Sequence, residues 1–322
     1  MATYYDIKGQ QVQNLASDPD PVLEGQVWYN TTSNTAKVAS YVSTASWASG
    51  EAMGTARRQV GGFGHTQNTA VCVCGQNPPA LSLTEEYDGS SWSEVNNSPQ
   101  GRVKPFANGS LTAGLIGGGE SGPSSNNTAV EYDGTNWAGG TTIPQTVQDG
   151  TSVGSQTSTL VCVGVPSPNT AVLYYDGSSW TAGPAATPTQ MTSASGCGAS
   201  QTSALIFGDA PAQTLTLEWD GSSWTTGGVL NTGRDRGASS VGSPATDALF
   251  FGGNNPSVTA ATEKYDGSSW ANQPSMSQAR RGLGGAGTSG SALAFAGYNG
   301  SDLATTEAFT GVGVSVKTIT AS

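Results

Sequence analysis

The chain has 322 residues, of which 35% are hydrophobic and only 11% charged, with 45 glycines and a formal net charge of −11. Good helix formers are scarce in such a mixture, so stability has to come from sheets, and the low charge excludes the usual composition of a disordered chain. An acidic balance with only twelve Lys and Arg also excludes nucleic-acid binding over the surface, because neutralising phosphates needs clustered cations.

In chain order, Met1 to Asp6 shows neither a basic start nor an apolar run, so no secretory signal is expected. No apolar stretch approaches the roughly 20 residues of a membrane span, and no membrane insertion is expected. Residues 1–25 carry no repeat and read as an N-terminal arm. Residues 26–322 read as one repeating domain. Its first, degenerate copy runs from Tyr41 to Trp47. The full string follows as Tyr87-Asp88-Gly89-Ser90-Ser91-Trp92, and recurs as Tyr132 to Trp137, Tyr175 to Trp180, Trp219 to Trp224 and Tyr265 to Trp270. The tryptophans at 47, 92, 137, 180, 224 and 270 set a period of about 44 residues, which is the length of a propeller blade.

Each unit reads alike. A Gly-rich strand such as Arg281 to Gly287 leads through a tight turn to an apolar strand such as Ala248 to Gly253. A variable loop then leads to a third strand, Thr84 to Tyr87 and its equivalents. Asp-Gly is expected to make a two-residue type I′ turn, with positive φ at both positions, and the Trp opens the fourth strand. Four short antiparallel strands form a blade, and a glycine-rich first strand suits the crowded axis.

The fold expected is therefore all-β, a six-bladed β-propeller. First, second and third strands number six, but fourth strands following a Trp number only five. The missing one is expected from the N-terminal segment around Trp47, pairing with Leu303 to Phe309 and sealing the ring. Val312, Val314 and Val316 alternate with small residues and are expected to add one more outer strand.

These units resemble kelch repeats. Gly117-Gly118 and Gly252-Gly253 match the kelch double glycine, Cys74-Gly75, Val163-Gly164, Gly208-Asp209 and Ala296-Gly297 are degenerate copies, and the spaced Tyr and Trp match the aromatic pair. The cassette Thr84-Glu85-Glu86-Tyr87-Asp88-Gly89-Ser90-Ser91-Trp92 looks like kelch-like repeats in virion proteins of marine bacteriophages. The string Gly25-Gln26-Val27-Trp28-Tyr29-Asn30-Thr31-Thr32 resembles a segment of phage tail and fibre proteins. The resemblance implies a virion location after synthesis in the host cytoplasm. It also implies a tail-associated, non-enzymatic role in docking on other virion proteins or recognising a host-surface glycan or receptor. The arm is expected to attach to the particle and could join copies. A soluble lectin-like or signalling propeller is the alternative.

The most informative charges are Arg57, Arg58, Arg102, Lys104, Arg234, Arg236, Arg280 and Arg281, which all fall in loops entering a first strand. Such loops emerge on one face, giving a basic arc over blades five, six, one and two. Two readings stand side by side. The arginines dock an anionic ligand or partner, or they pair with Glu85, Glu86, Glu131, Glu218, Glu263 or Glu307 and tie blades together. The repeat aspartates Asp88, Asp133, Asp176, Asp220 and Asp266 suit turns. They do not match sialidase Asp-boxes, because Asp and Gly are adjacent where that family has one residue between, and even there the boxes are structural turns. No acidic pair stands out for glycoside hydrolysis. One histidine, His65, cannot supply copper-oxidase ligands, and Cys72, Cys74, Cys162 and Cys197 lack metal-ligand spacing and read as buried thiols. No enzyme activity, metal or cofactor is expected.

Overall fold

A computed structural model describes residues 12–19, 22–42, 44–122, 124–165, 169–211 and 213–319. The chain divides into two units, Ser46–Phe309 and a smaller one formed by Met1–Ala45 with Thr310–Ser322.

The large unit is all-β and propeller-like. Among the described residues it holds six four-stranded sheets, numbered here by their first strands in chain order. Sheet one is Gly61–Thr66, Thr69–Val73, Thr84–Tyr87 and Trp92–Glu94, each strand antiparallel to the next. Sheets two to five open on Phe106–Ser110, Thr151–Ser155, Ser195–Ser200 and Ala238–Ser239. Sheet six runs Gly284–Thr288, Ser291–Phe295, Thr306–Thr310, and then takes Ser46–Gly50 as its fourth strand. The strand bearing Trp47 thus sits beside the last repeat.

The core is layered between sheets rather than pooled in one centre. Tyr87 and Cys72 of sheet one cluster with Leu293 and Phe295 of sheet six. Similar clusters join sheets one and two, two and three, three and four, and four and five. Trp47 contacts Phe251 of sheet five at 5.1 Å and Phe309 of sheet six at 5.2 Å between ring centroids. Its Nε1 donates to Thr262 Oγ1 at 3.1 Å. The same bond recurs from Trp92 to Thr306, Trp137 to Thr84 and Trp270 to Thr216. Four of the six fourth-strand tryptophans thereby fasten their sheet to the third strand of a neighbour; Trp224 donates instead to Ala185 O at 3.4 Å, and Trp180 Nε1 has no partner among the described residues. Aromatic contacts of this kind add about 0.5–1.5 kcal/mol beyond area burial.

The Asp-Gly turn differs from the two-residue form expected. The pair Tyr87↔Trp92 leaves four residues in the loop, and of these only Gly89 has positive φ, at 96°. The Asp88 carboxylate accepts the N–H groups of Ser90 at 2.8 Å and Ser91 at 2.7 Å. A side-chain acceptor replaces the backbone geometry that a type I′ turn would need. These backbone donors hold the Asp88 carboxyl down at about 2, as they do for Asp266.

In the smaller unit one sheet has the order Gln13–Leu15, Val27–Asn30, Thr35–Val42, Gly313–Thr318. The strand expected on the outer edge of a blade, Gly313–Thr318, instead pairs with Thr35–Val42, with Tyr41 opposite Val314. The degenerate Tyr41 to Trp47 copy is therefore split, its Tyr half in this sheet and its Trp half in sheet six. Of the expected arm, residues 1–11 lie outside the described residues, and Gln13–Leu15 is a strand parallel to Val27–Asn30. Trp28 is fully buried and donates to Asp18, as do Asn30 and Lys37. Burial alone would raise the Asp18 carboxyl, but these three donors outweigh it and hold it below the usual range.

Candidate functional site

The loops entering the six first strands meet on one rim of the large unit. Each contains one residue in the left-handed region: Gln59, Lys104, Asp149, Ser193, Arg236 and Gly282, with φ between 52° and 60°. Backbone bonds link them from sheet to sheet. Lys104 N–H donates to Gln59 O at 2.9 Å, Ser193 to Asp149 at 2.9 Å, Arg236 to Ser193 at 3.0 Å, Gly282 to Arg236 at 2.7 Å and Gln59 to Gly282 at 2.6 Å. Lys104 and Asp149 are joined by an ion pair at 2.9 Å. The left-handed turn aims each amide and carbonyl at its neighbours, which satisfies them where no sheet partner exists. Below this ring lies a cavity lined by all six first strands together with Val241 of sheet five. The loop carrying Val241 crosses to the far side: Gly242 donates to Gly287 O at 2.9 Å, and a β-carbon there would lie 2.6 Å from His65 O.

The basic residues expected on this rim separate by register. Two positions before the left-handed residue stand Arg57, Arg102 and Arg234, with Arg280 in the matching place, all at most 1% exposed. Arg57 pairs with Glu85, Arg234 with Glu263 and Arg280 with Glu307, each on the third strand of its own sheet. These pairs brace a loop within a sheet. Arg102 faces Val130 where the others face Glu, and donates instead to Gly118 O, Thr128 O and Thr128 Oγ1 at 2.7 to 3.1 Å. In sheets three and four the same place holds buried Val147 and Met191, opposite Leu173 and Leu217. In five of the six sheets arginine accompanies glutamate or apolar accompanies apolar, as the cost of an unpaired buried charge favours; sheet two is the exception, where neutral oxygens alone receive the Arg102 guanidinium. Contacts between sheets come from the other glutamates: Tyr132 donates to Glu86 and Tyr175 to Glu131, both at 2.6 Å, and Tyr265 to Glu218.

Arg58, Arg236 and Arg281 stand apart, partly exposed around one recess of about 280 Å3 between sheets five, six and one. Tyr298 stands at its wall, with the Arg58 guanidinium carbon 4.7 Å and the Arg281 carbon 5.7 Å from the ring centroid. Cations this close to an aromatic ring are attracted by its quadrupole. Arg58 also meets Asp302 at 2.5 Å, and Arg281 reaches Asn254 Oδ1 at 3.4 Å. Arg236 Nε is buried with no hydrogen-bond partner among the described residues. Lys104 belongs to the opposite arc, where Glu120 at 3.4 Å and Asp149 at 2.9 Å neutralise it. That arc also carries Asp209, 6% exposed, whose carboxyl burial pushes up to about 6 despite donors from Thr192 and Ala210.

The four cysteines are free and buried, and burial raises the thiols of Cys72 and Cys74 to about 11 and that of Cys162 to about 12. His65 is the next-to-last residue of the first strand of sheet one and is exposed. Among the described residues no three His, Cys, Asp or Glu side chains gather as metal ligands would. Sequence reasoning missed Tyr298, Gln76 and Gly282. Aligning the loops would have shown Gly282 as the left-handed residue without a side chain.

No protein-family model matches the sequence, and no curated protein does. Among solved structures, the one reported as "Structure of YjhT" superposes with a TM-score of 0.66 at 14% identity, covering 83% of this chain and 99% of that one. The two share a fold, and a fold hosts many functions.

Proposed function

We propose that the large unit is a closed, six-bladed propeller of the kelch type, serving without catalysis as a recognition component of a phage virion, associated with the tail. Six four-stranded sheets, core clusters shared between neighbours, and rim bonds that run from sheet six back to sheet one support closure by the Trp47 strand. The kelch reading is supported by the double glycine. The pair equivalent to Gly252-Gly253 is Gly118-Gly119, and all four have positive φ between 62° and 110°. A β-carbon on Gly253 would lie 2.7 Å from Asp235 O, so the close loop approach requires glycine. The phage reading is supported by the cassette and the Gly25 to Thr32 string.

One observation carries the recognition role. Three arginines converge on a recess that holds only partial carboxylate neutralisation, on the rim where first-strand loops are presented. Mass spectrometry of purified virions tests the location, and competition for host adsorption by the purified chain tests the role. Presence in the particle and dose-dependent inhibition are expected. Absence of the chain from virions removes the proposal.

A further inference from the structure

Resting on that recognition reading, we infer that the recess between sheets five, six and one takes a single carboxylate borne on a sugar ring, that is, a uronic acid residue of an acidic glycan. Charge sets the class of ligand. Arg58, Arg236 and Arg281 bring three positive charges. Asp302 engages Arg58, and among the described residues neither Arg236 nor Arg281 forms an ion pair. The recess keeps a net positive charge for an anion.

Shape sets the chemistry. Arg236 lines the recess, and the paired terminal nitrogens of a guanidinium form the planar fork that a carboxylate accepts with two parallel bonds. Arg58 and Arg281 lie over the Tyr298 ring and line the recess, which places two further guanidinium groups beside a ligand. The remaining lining is polar: Gln59 and Gln76 are bonded to each other at 2.5 Å and present further amide groups. No aliphatic side chain lines the recess, so a hydroxylated ring suits it better than an acidic peptide, whose neighbouring residues would need apolar seats. The volume of about 280 Å3 lies at the small end of ligand sites, roughly 300–1,000 Å3, and suits one saccharide unit.

The space exists because Gly282 has no side chain. Five other sheets place a non-glycine residue at the same φ, so the backbone angle tolerates Gly282→Gln. Its β-carbon would lie 3.2 Å from Gln59 Cγ and 3.3 Å from Gln59 N, so Gln59 must shift by a few tenths of an ångström. The new side chain would crowd the recess that Gln59 and Gly282 line.

The test is calorimetric titration of the full chain with tri-galacturonate, its methyl ester, a sulfated trisaccharide and hexa-glutamate. Binding of the free acid is expected, about tenfold or more weaker for the ester, for Arg236→Gln and for Gly282→Gln, as loss of one charge-assisted bond implies. Equal binding of the ester, or binding of sulfate or hexa-glutamate as tight as the uronate, overturns the assignment. So does an unchanged affinity in Gly282→Gln that keeps the parent melting temperature. Host adsorption separates the two claims. If Gly282→Gln impairs adsorption while no uronate binds, the sugar is wrong and recognition stands. If uronate binds at the recess while Gly282→Gln leaves adsorption intact, the ligand stands and the host role falls.

Discussion

The two arcs of the rim have one backbone design and opposite chemistry. Around sheets five, six and one, the loops bring Arg58, Arg236 and Arg281 to a recess floored by Gly282. Around sheets two, three and four, the equivalent ring residues are Lys104, Asp149 and Ser193, with Glu120 and Asp209 beside them. The backbone ring fixes where side chains emerge, while single residues decide what emerges. Within the basic arc the same lesson repeats at closer range. Arg280 and Arg281 are adjacent, yet one is buried against Glu307 and the other lines the recess.

The largest effects should come from breaking the buried half of that contrast. Arg234→Met alone, or Glu263→Leu alone, strands a buried charge and is expected to cost about 3–5 kcal/mol in denaturant unfolding. The double variant copies Met191 and Leu217 of sheet four, and should recover most of the loss. A double variant as unstable as either single one would remove the pairing argument.

Next comes the strand that completes sheet six. Trp47→Ala removes two aromatic contacts and the bond to Thr262, and is expected to cost about 3 kcal/mol, the lower end for a buried Trp because the ring is only partly covered. Melting followed by tryptophan fluorescence would show it.

The acidic arc should respond to pH. The Asp209 carboxyl is raised to about 6 in the folded state, above its unfolded value of about 3.9. Between those values the folded state binds more protons, so stability falls as pH rises from about 4 to about 6 and stays at the lower level above. Asp209→Asn keeps an acceptor for the Thr192 amide and should flatten that slope in unfolding curves. Asp88 and Asp266 act with opposite sign. Their carboxyls, held near 2, add stability that is present above about 4 and is lost as pH falls through about 2.

Much of the fold was legible because each repeat reuses one contact. The aromatic pair flanking the Asp-Gly loop, Tyr with Trp in four copies and Trp219 with Trp224 in the fifth, lies at 4.7 to 5.2 Å between ring centroids in every full copy, so both aromatic positions recur with the period. Counting fourth strands placed Trp47 in the last sheet. The alternation of Val312, Val314 and Val316 announced a strand but not its partner, since pairing with Thr35–Val42 depends on residues far away in sequence. The Asp-Gly loop misled because a side chain took over a backbone role. The rim was half legible. Paired arginines looked equivalent in sequence, although Glu85, Glu263 and Glu307 occur only in sheets whose loop also carries a buried Arg, a correlation that could have separated scaffold from recess.

The sharpest measurement compares two neighbours. Arg280→Gln and Arg281→Gln would each be assayed for melting temperature and for titration with tri-galacturonate. Arg280→Gln should lose stability by about 3 kcal/mol or more, whereas Arg281→Gln should stay within about 0.5 kcal/mol of the parent and lose about tenfold in binding. Equal destabilisation by both, or full binding by a folded Arg281→Gln chain, would contradict the division of the rim into scaffold and site.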